Sequence, residues 1–125
     1  MPRATCGTMA AIVVREVGGI GKLVLDRARP IPVPRAHEVL VRNAFAGLRH
    51  DTYCRSGLYP LLGGDCGDGF VVGCEGGGVV VALGRDVTQT TGIRAGDRVA
   101  YLQEGVHGTY SGHCTPNSPR CLPAG

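Results

Sequence analysis

The chain has 125 residues and a mass of 13.0 kDa, with 43% apolar residues and a formal charge of +3. That is enough for one domain with its own core and too little for two. No Lys/Arg block has the density of a nucleic-acid footprint, and no apolar stretch approaches the roughly 18 residues of a membrane span, so neither a nucleic-acid partner nor a membrane-spanning helix is expected.

Residues 1–8 read as a flexible leader and 9–125 as the folded domain. The apolar run at 9–14 is cut short by Arg15 and Glu16, which leaves no secretory core. Residues 10–17 are rich in β-branched side chains and close on Gly18-Gly19, which predicts a strand and a turn. A second strand is expected over 22–27. Pro30, Pro32 and Pro34 then impose an extended connector that lacks ladder donors of its own. The alternation around Val39, Val41 and Ala44 predicts a strand over 37–46. Glycine and aspartate make 61–69 a loop, with strands at 70–74 and 77–83 after it. A threonine-rich polar link precedes the turn at Ala95-Gly96-Asp97 and further strands at 98–102, 108–115 and 120–122. Short strands at even spacing, with hardly any helical periodicity, predict a mainly β domain, a closed or nearly closed barrel with few short helices.

The six cysteines form no Cys-x-x-Cys pair and accompany no secretion signal. They read as reduced thiols in a cytoplasmic protein, with a mitochondrial location as the alternative. Two segments carry most of the functional content. Residues 51–60, Asp-Thr-Tyr-Cys-Arg-Ser-Gly-Leu-Tyr-Pro, set the phenols of Tyr53 and Tyr59 around Arg55, a composition suited to lining a pocket. Arg55 reads as a surface or turn-bracing arginine, with a cofactor phosphate as the other role. Residues 73–80, Gly-Cys-Glu-Gly-Gly-Gly-Val-Val, lead into a valine strand and not into a helix whose N-terminus could hold a pyrophosphate. The glycines at 18–21 ahead of Lys22 lack phosphate-loop spacing.

These segments, with Ala11-Ile12-Val13-Val14, the prolines at 30–34, Glu38-Val39-Leu40-Val41-Arg42 and Gly96-Asp97-Arg98-Val99, resemble the N-terminal catalytic domain of the medium-chain dehydrogenase/reductase superfamily. Within it, Asp-Thr-Tyr-x-Arg-Ser-Gly-Leu-Tyr-Pro points to the quinone oxidoreductase branch, which includes the zeta-crystallins. The resemblance covers nearly the whole chain from residue 9 onward. It implies a GroES-like, partly closed β-barrel, with the family's Rossmann domain absent from this chain and following residue 125. It further implies hydride transfer from NADPH to a quinone or conjugated carbonyl, without zinc. The catalytic phenols would be Tyr53 and Tyr59, and Arg49, His50 and Tyr53 would border the cofactor. On this reading the chain is part of a longer enzyme, inactive alone, whose partners are a small quinone or enone and, at full length, a second copy. The alternative is a free-standing barrel acting as a non-catalytic binding or assembly module.

Two departures from the branch stand out. The segment Gly47-Leu48-Arg49-His50-Asp51-Thr52-Tyr53 is one residue shorter than the branch pattern and lacks its asparagine, with Arg49 nearest that place. The loop at 61–69 is longer than the usual link. The zinc relatives' ligands correspond to Arg49 and Cys74, so the expected metal count is none. A set drawn from His50, Asp51, Cys74 and Glu75 offers a single thiolate, and Cys74 reads as a small core residue.

Overall fold

The computed structural model of the chain describes residues 7–48, 55–56, 69–102, 109, 111–116 and 118–123. Strands β1 (Thr8–Val14) and β2 (Leu23–Pro30) form an antiparallel pair in which Val14 faces Leu23 and Thr8 faces Pro30. The expected first strand therefore ends three residues early. Arg15, Glu16 and Val17 are exposed and belong to the turn, where Lys22 Nζ donates to Glu16 Oε2 at 2.8 Å. The other side of β1 takes β4 (Phe70–Val71), with Val13 opposite Val71. Pro30 is tolerated because β2 is an edge strand, where a missing N–H interrupts no inner ladder.

The larger sheet is built on β3 (Val39–Ala46), β5 (Glu75–Leu83) and β6 (Arg98–Leu102). It is flanked by the short β7 (His113–Cys114) and β8 (Cys121–Pro123), in the order β7-β3-β5-β6-β8 with antiparallel pairs throughout. Val39, Val41, Val80, Val99, Tyr101, Cys114 and Cys121 point into one buried cluster. Alternation along each strand puts these side chains on one face, and burying them supplies the main driving force, about 25 cal/mol per Å² of apolar surface.

The threonine-rich link forms a short helix, Val87–Thr91, that the sequence does not announce. Val87 and Ile93 complete the buried cluster. Thr90 Oγ1 donates to the Asp86 carbonyl at 2.9 Å and Thr91 Oγ1 to that of Val87 at 3.0 Å, so the hydroxyls bond back onto the turn instead of competing with it. Gly92, at φ 73°, ends the helix with its N–H on the Thr88 carbonyl.

The expectation of a closed or nearly closed barrel needs correction, because the described strands form a three-stranded and a five-stranded sheet. Among the described residues the two meet along a seam at Ser111 and Gly112. An isolated bridge joins Ala11 to Ser111, the Gly112 N–H donates to the Ala10 carbonyl at 3.0 Å, and the Gly112 carbonyl accepts from the Asn43 N–H at 2.9 Å. Elsewhere β4 and β7, at two residues each, are too short to zip the sheets together, so the barrel is only partly closed. A cleft of about 280 Å³ opens where the sheets part, between Met9, Arg29 and Pro32 on one side and Ser111, Cys114 and Thr115 on the other.

Candidate active site

All four residues singled out for catalysis or cofactor contact, Arg49, His50, Tyr53 and Tyr59, lie outside the described residues. What the structure does place are the two anchors of the segment carrying the first three. At its start, directly after β3, the Gly47 N–H donates to the Glu75 carbonyl at 2.9 Å, which ties the segment to the head of β5. At its end, Arg55 Nη1 donates to the Gly18 carbonyl at 2.7 Å, and the Gly18 N–H donates back to the Arg55 carbonyl at 2.7 Å. Arg55 is thus a turn brace. The described residues on either side of 49–54 are thus tied to different sheets, Gly47 to the large one and Arg55 to the β1–β2 turn of the small one.

Close packing at the first anchor depends on an absent side chain. A Cβ on Gly47 would come within 2.6 Å of Glu75 Cγ, so the Glu75 side chain lies in the space that glycine leaves. Cys74, one residue before, is 6% exposed, as expected of a small core residue. Among the described residues no three of His, Cys, Asp or Glu gather as a metal site. Of the four groups of the paper zinc set, His50 and Asp51 lie outside the described residues.

A buried polar cluster that the sequence reading missed supports the wall beside these anchors. The Tyr101 hydroxyl donates to Asn43 Oδ1 at 2.6 Å and touches the Cys114 sulfur. Asn43 Nδ2 donates to the Ser111 carbonyl at 2.9 Å and reaches that of Thr109 at 3.4 Å. The Thr109 N–H in turn donates to the Gly73 carbonyl at 3.3 Å. One asparagine side chain therefore holds Thr109 and Ser111 against β3, and Thr109 ties that stretch to the entrance of β5. The available signal was an asparagine inside a largely apolar strand, where a half-buried amide calls for partners.

The electrostatics make this cluster a neutral scaffold. Burial pushes the Cys114 thiol up to about 11, against the lowering effect of its hydrogen bonds with Tyr101 and Asn43. Burial, then the nearby Cys114, also pushes Cys121 up to about 11. Burial, followed by the Cys114 neighbour, holds the Tyr101 phenol far above its usual range. None of these groups ionises near neutral pH, so none is a ready nucleophile or base. Burial, then the Arg42 charge, depresses His113, leaving its imidazole neutral at pH 7.

The described residues do not fit a dinucleotide's phosphates. The glycine run at 73–78 feeds strand β5, and the helix Val87–Thr91 follows Asp86 with no glycine-rich turn. Whatever cofactor phosphate binding a longer protein has would come from outside these residues.

Comparison with known proteins agrees with this architecture. Residues 35–121 match the alcohol dehydrogenase GroES-like domain. A quinone oxidoreductase of Pseudomonas aeruginosa is 48% identical over 79 residues, which are 62% of this chain and 22% of that protein. The crystal structure of the quinone oxidoreductase of Pseudomonas syringae pv. Tomato DC3000 superposes with a TM-score of 0.80 at 35% identity, over 94% of this chain and 34% of that one. The Escherichia coli quinone oxidoreductase complexed with NADPH gives a TM-score of 0.77 at 32% identity, over 91% of this chain and 32% of that one. This chain thus spans about a fifth of the length of the curated relative and about a third of each solved one. With its match over residues 35–121 and its two-sheet, mainly β architecture, the chain belongs to the alcohol dehydrogenase GroES-like domain family, as a quinone oxidoreductase-like member of the medium-chain dehydrogenase/reductase superfamily.

Proposed function

We propose that this chain is the catalytic-domain portion of a zinc-independent, NADPH-dependent quinone oxidoreductase that reduces a quinone or another conjugated carbonyl. The observation that carries the reading is the likeness to a quinone oxidoreductase over 94% of the chain. NADPH supplies the hydride when bound. The task left to this chain is to orient a flat carbonyl and to stabilise the negative charge that grows on its oxygen. Hydroxyl donors from Tyr53 and Tyr59 suit that task, because a positioned O–H stabilises an oxyanion without a metal and without changing its own charge. Arg49 and His50, at the start of the same segment, would border the cofactor, with the guanidinium favouring an anionic neighbour.

The test is consumption of NADPH with a simple quinone by the longer product containing this domain. Tyr53→Phe is expected to lower turnover by about 10²-fold or more on oxyanion-hole precedent. Turnover unchanged by that substitution removes the role from Tyr53. No turnover at all by the longer product favours the second reading, a binding or assembly module, to which the Arg49 segment without the branch asparagine lends support.

A further inference from the structure

We propose that the cleft between the two sheets is a binding site for a small carboxylic acid with a compact apolar body, held at its carboxylate by Arg29. The cleft measures about 280 Å³, just under the usual range for small-molecule sites, which suits a single ring or a short acyl chain. Met9, Pro30 and Val71 give it an apolar wall, and Ser111 and Thr115 bring hydroxyls from the other side.

The walls are set before any ligand arrives. Across the seam the Gly112 N–H donates to the Ala10 carbonyl at 3.0 Å, and the His113 N–H donates to Met9 Sδ at 3.2 Å. In the small sheet Arg29 Nη2 reaches past β1 to the Gly69 carbonyl at 2.9 Å, at the entry to β4. A cleft braced in this way loses little freedom when a ligand enters, which favours binding.

The charge in the cleft selects an anion. Arg29 is the one charged side chain among the described residues that line it. Its side chain is only 26% exposed, yet among the described residues its hydrogen bonding amounts to the Gly69 carbonyl. The nearest carboxylate oxygen, Asp26 Oδ2, lies 3.9 Å from Nη1, beyond hydrogen-bond reach, and Asp26 Oδ1 accepts from the Ala28 N–H at 2.9 Å. A guanidinium carries five N–H donors in a fixed fork, so one that is largely buried and this lightly engaged keeps an edge for a bidentate carboxylate. Cys114, which also lines the cleft, adds no opposing charge at neutral pH, because burial pushes its thiol up to about 11. None of the described lining residues belongs to 49–60, and the proposal stands independently of the catalytic reading.

Calorimetric titration of benzoate into the 125-residue chain, and into the longer product containing it, is the test. Saturable binding with a dissociation constant on the order of a millimolar or tighter is expected for a ligand of that size. In the chain it should shift the methyl resonance of Met9, one of two methionines. Benzamide keeps the ring and loses the charge, acetate keeps the charge and loses the ring, and each should bind more than about tenfold more weakly. Arg29→Met should weaken benzoate to the same degree. Asp26→Asn removes the carboxylate nearest the guanidinium and should tighten benzoate about twofold or more, a gain that misfolding would not give. Circular dichroism checks that each variant keeps its strands. Benzoate that binds no better than benzamide or acetate, that leaves Met9 unshifted or that is indifferent to either substitution overturns the proposal. So does binding that is present in the chain and lost in the longer product, the outcome if another part of that protein fills the cleft.

Discussion

The two sheets divide the labour unequally. Seven of the nine residues of the main buried cluster stand on the five-stranded sheet, whereas β2 of the three-stranded sheet has no buried position along its length. β2 is held by its pairing with β1, whose Met9, Ala11, Val13 and Val14 are buried, and β1 in turn meets the large sheet at Ser111 and Gly112. Burial is therefore heavy in the large sheet and in β1, and lightest along β2. Interactions with similar geometry should accordingly differ in worth by their sheet.

The sharpest way to break the comparison is Gly78→Ala. Gly78 faces Asn43 of β3, and a Cβ there would collide with the Arg42 carbonyl. Backbone cannot swing aside as a side chain can, so the substitution should cost about 3 kcal/mol or more and lower the melting temperature sharply. Asn43→Ala comes next. It strips the Tyr101 hydroxyl and the Ser111 and Thr109 carbonyls of a shared partner inside the seam, at an expected cost of about 2–3 kcal/mol in denaturant unfolding. A retained stability would mean that the asparagine does not join the sheets.

Among the described residues, alkaline pH should act through the thiols of the large sheet. The Cys114 and Cys121 thiols sit at about 11 when folded against a reference of 9.0, so the unfolded chain loses their protons first. Their contribution is intact below pH 9 and is lost as pH rises through the window from about 9 to about 11. A melting temperature that starts to fall near the lower bound, and falls less in a Cys114→Ala variant, is the expected result. The smallest effect belongs to the small sheet. Arg55→Ala removes one bond to the Gly18 turn and should cost about 1 kcal/mol or less in global unfolding, while accelerating hydrogen exchange at the Gly18 amide.

Most strands were legible because runs such as Ala11 to Val14 and Val79 to Val81 combine branching with turn residues at their ends. The Arg98–Leu102 strand and the turn before it fell where Ala95-Gly96-Asp97 placed them. The short helix was not legible, since four residues of Val87-Thr88-Gln89-Thr90-Thr91 are poor advertisements for a helix and Val87 alone buries itself in the core. Of the segment at 51–60, the bracing role of Arg55 was legible, while Tyr53 and Tyr59 lie outside the described residues. The sequence could not show that Asn43 would reach Tyr101, 58 residues away, or the carbonyl of Ser111, 68 residues away.

By itself the sequence determined the β class, the order of the strands and the segment richest in chemistry, because these follow from local alternation, branching and turn residues. Tertiary structure alone decided that the strands part into two sheets and that Asn43 faces inward onto Tyr101 while Phe45 faces out. The physical reason is register. The ladder between β3 and β5 shifts between Leu40 and Val41 and again between Asn43 and Phe45, and these irregularities set which side chains look into the core and which face out.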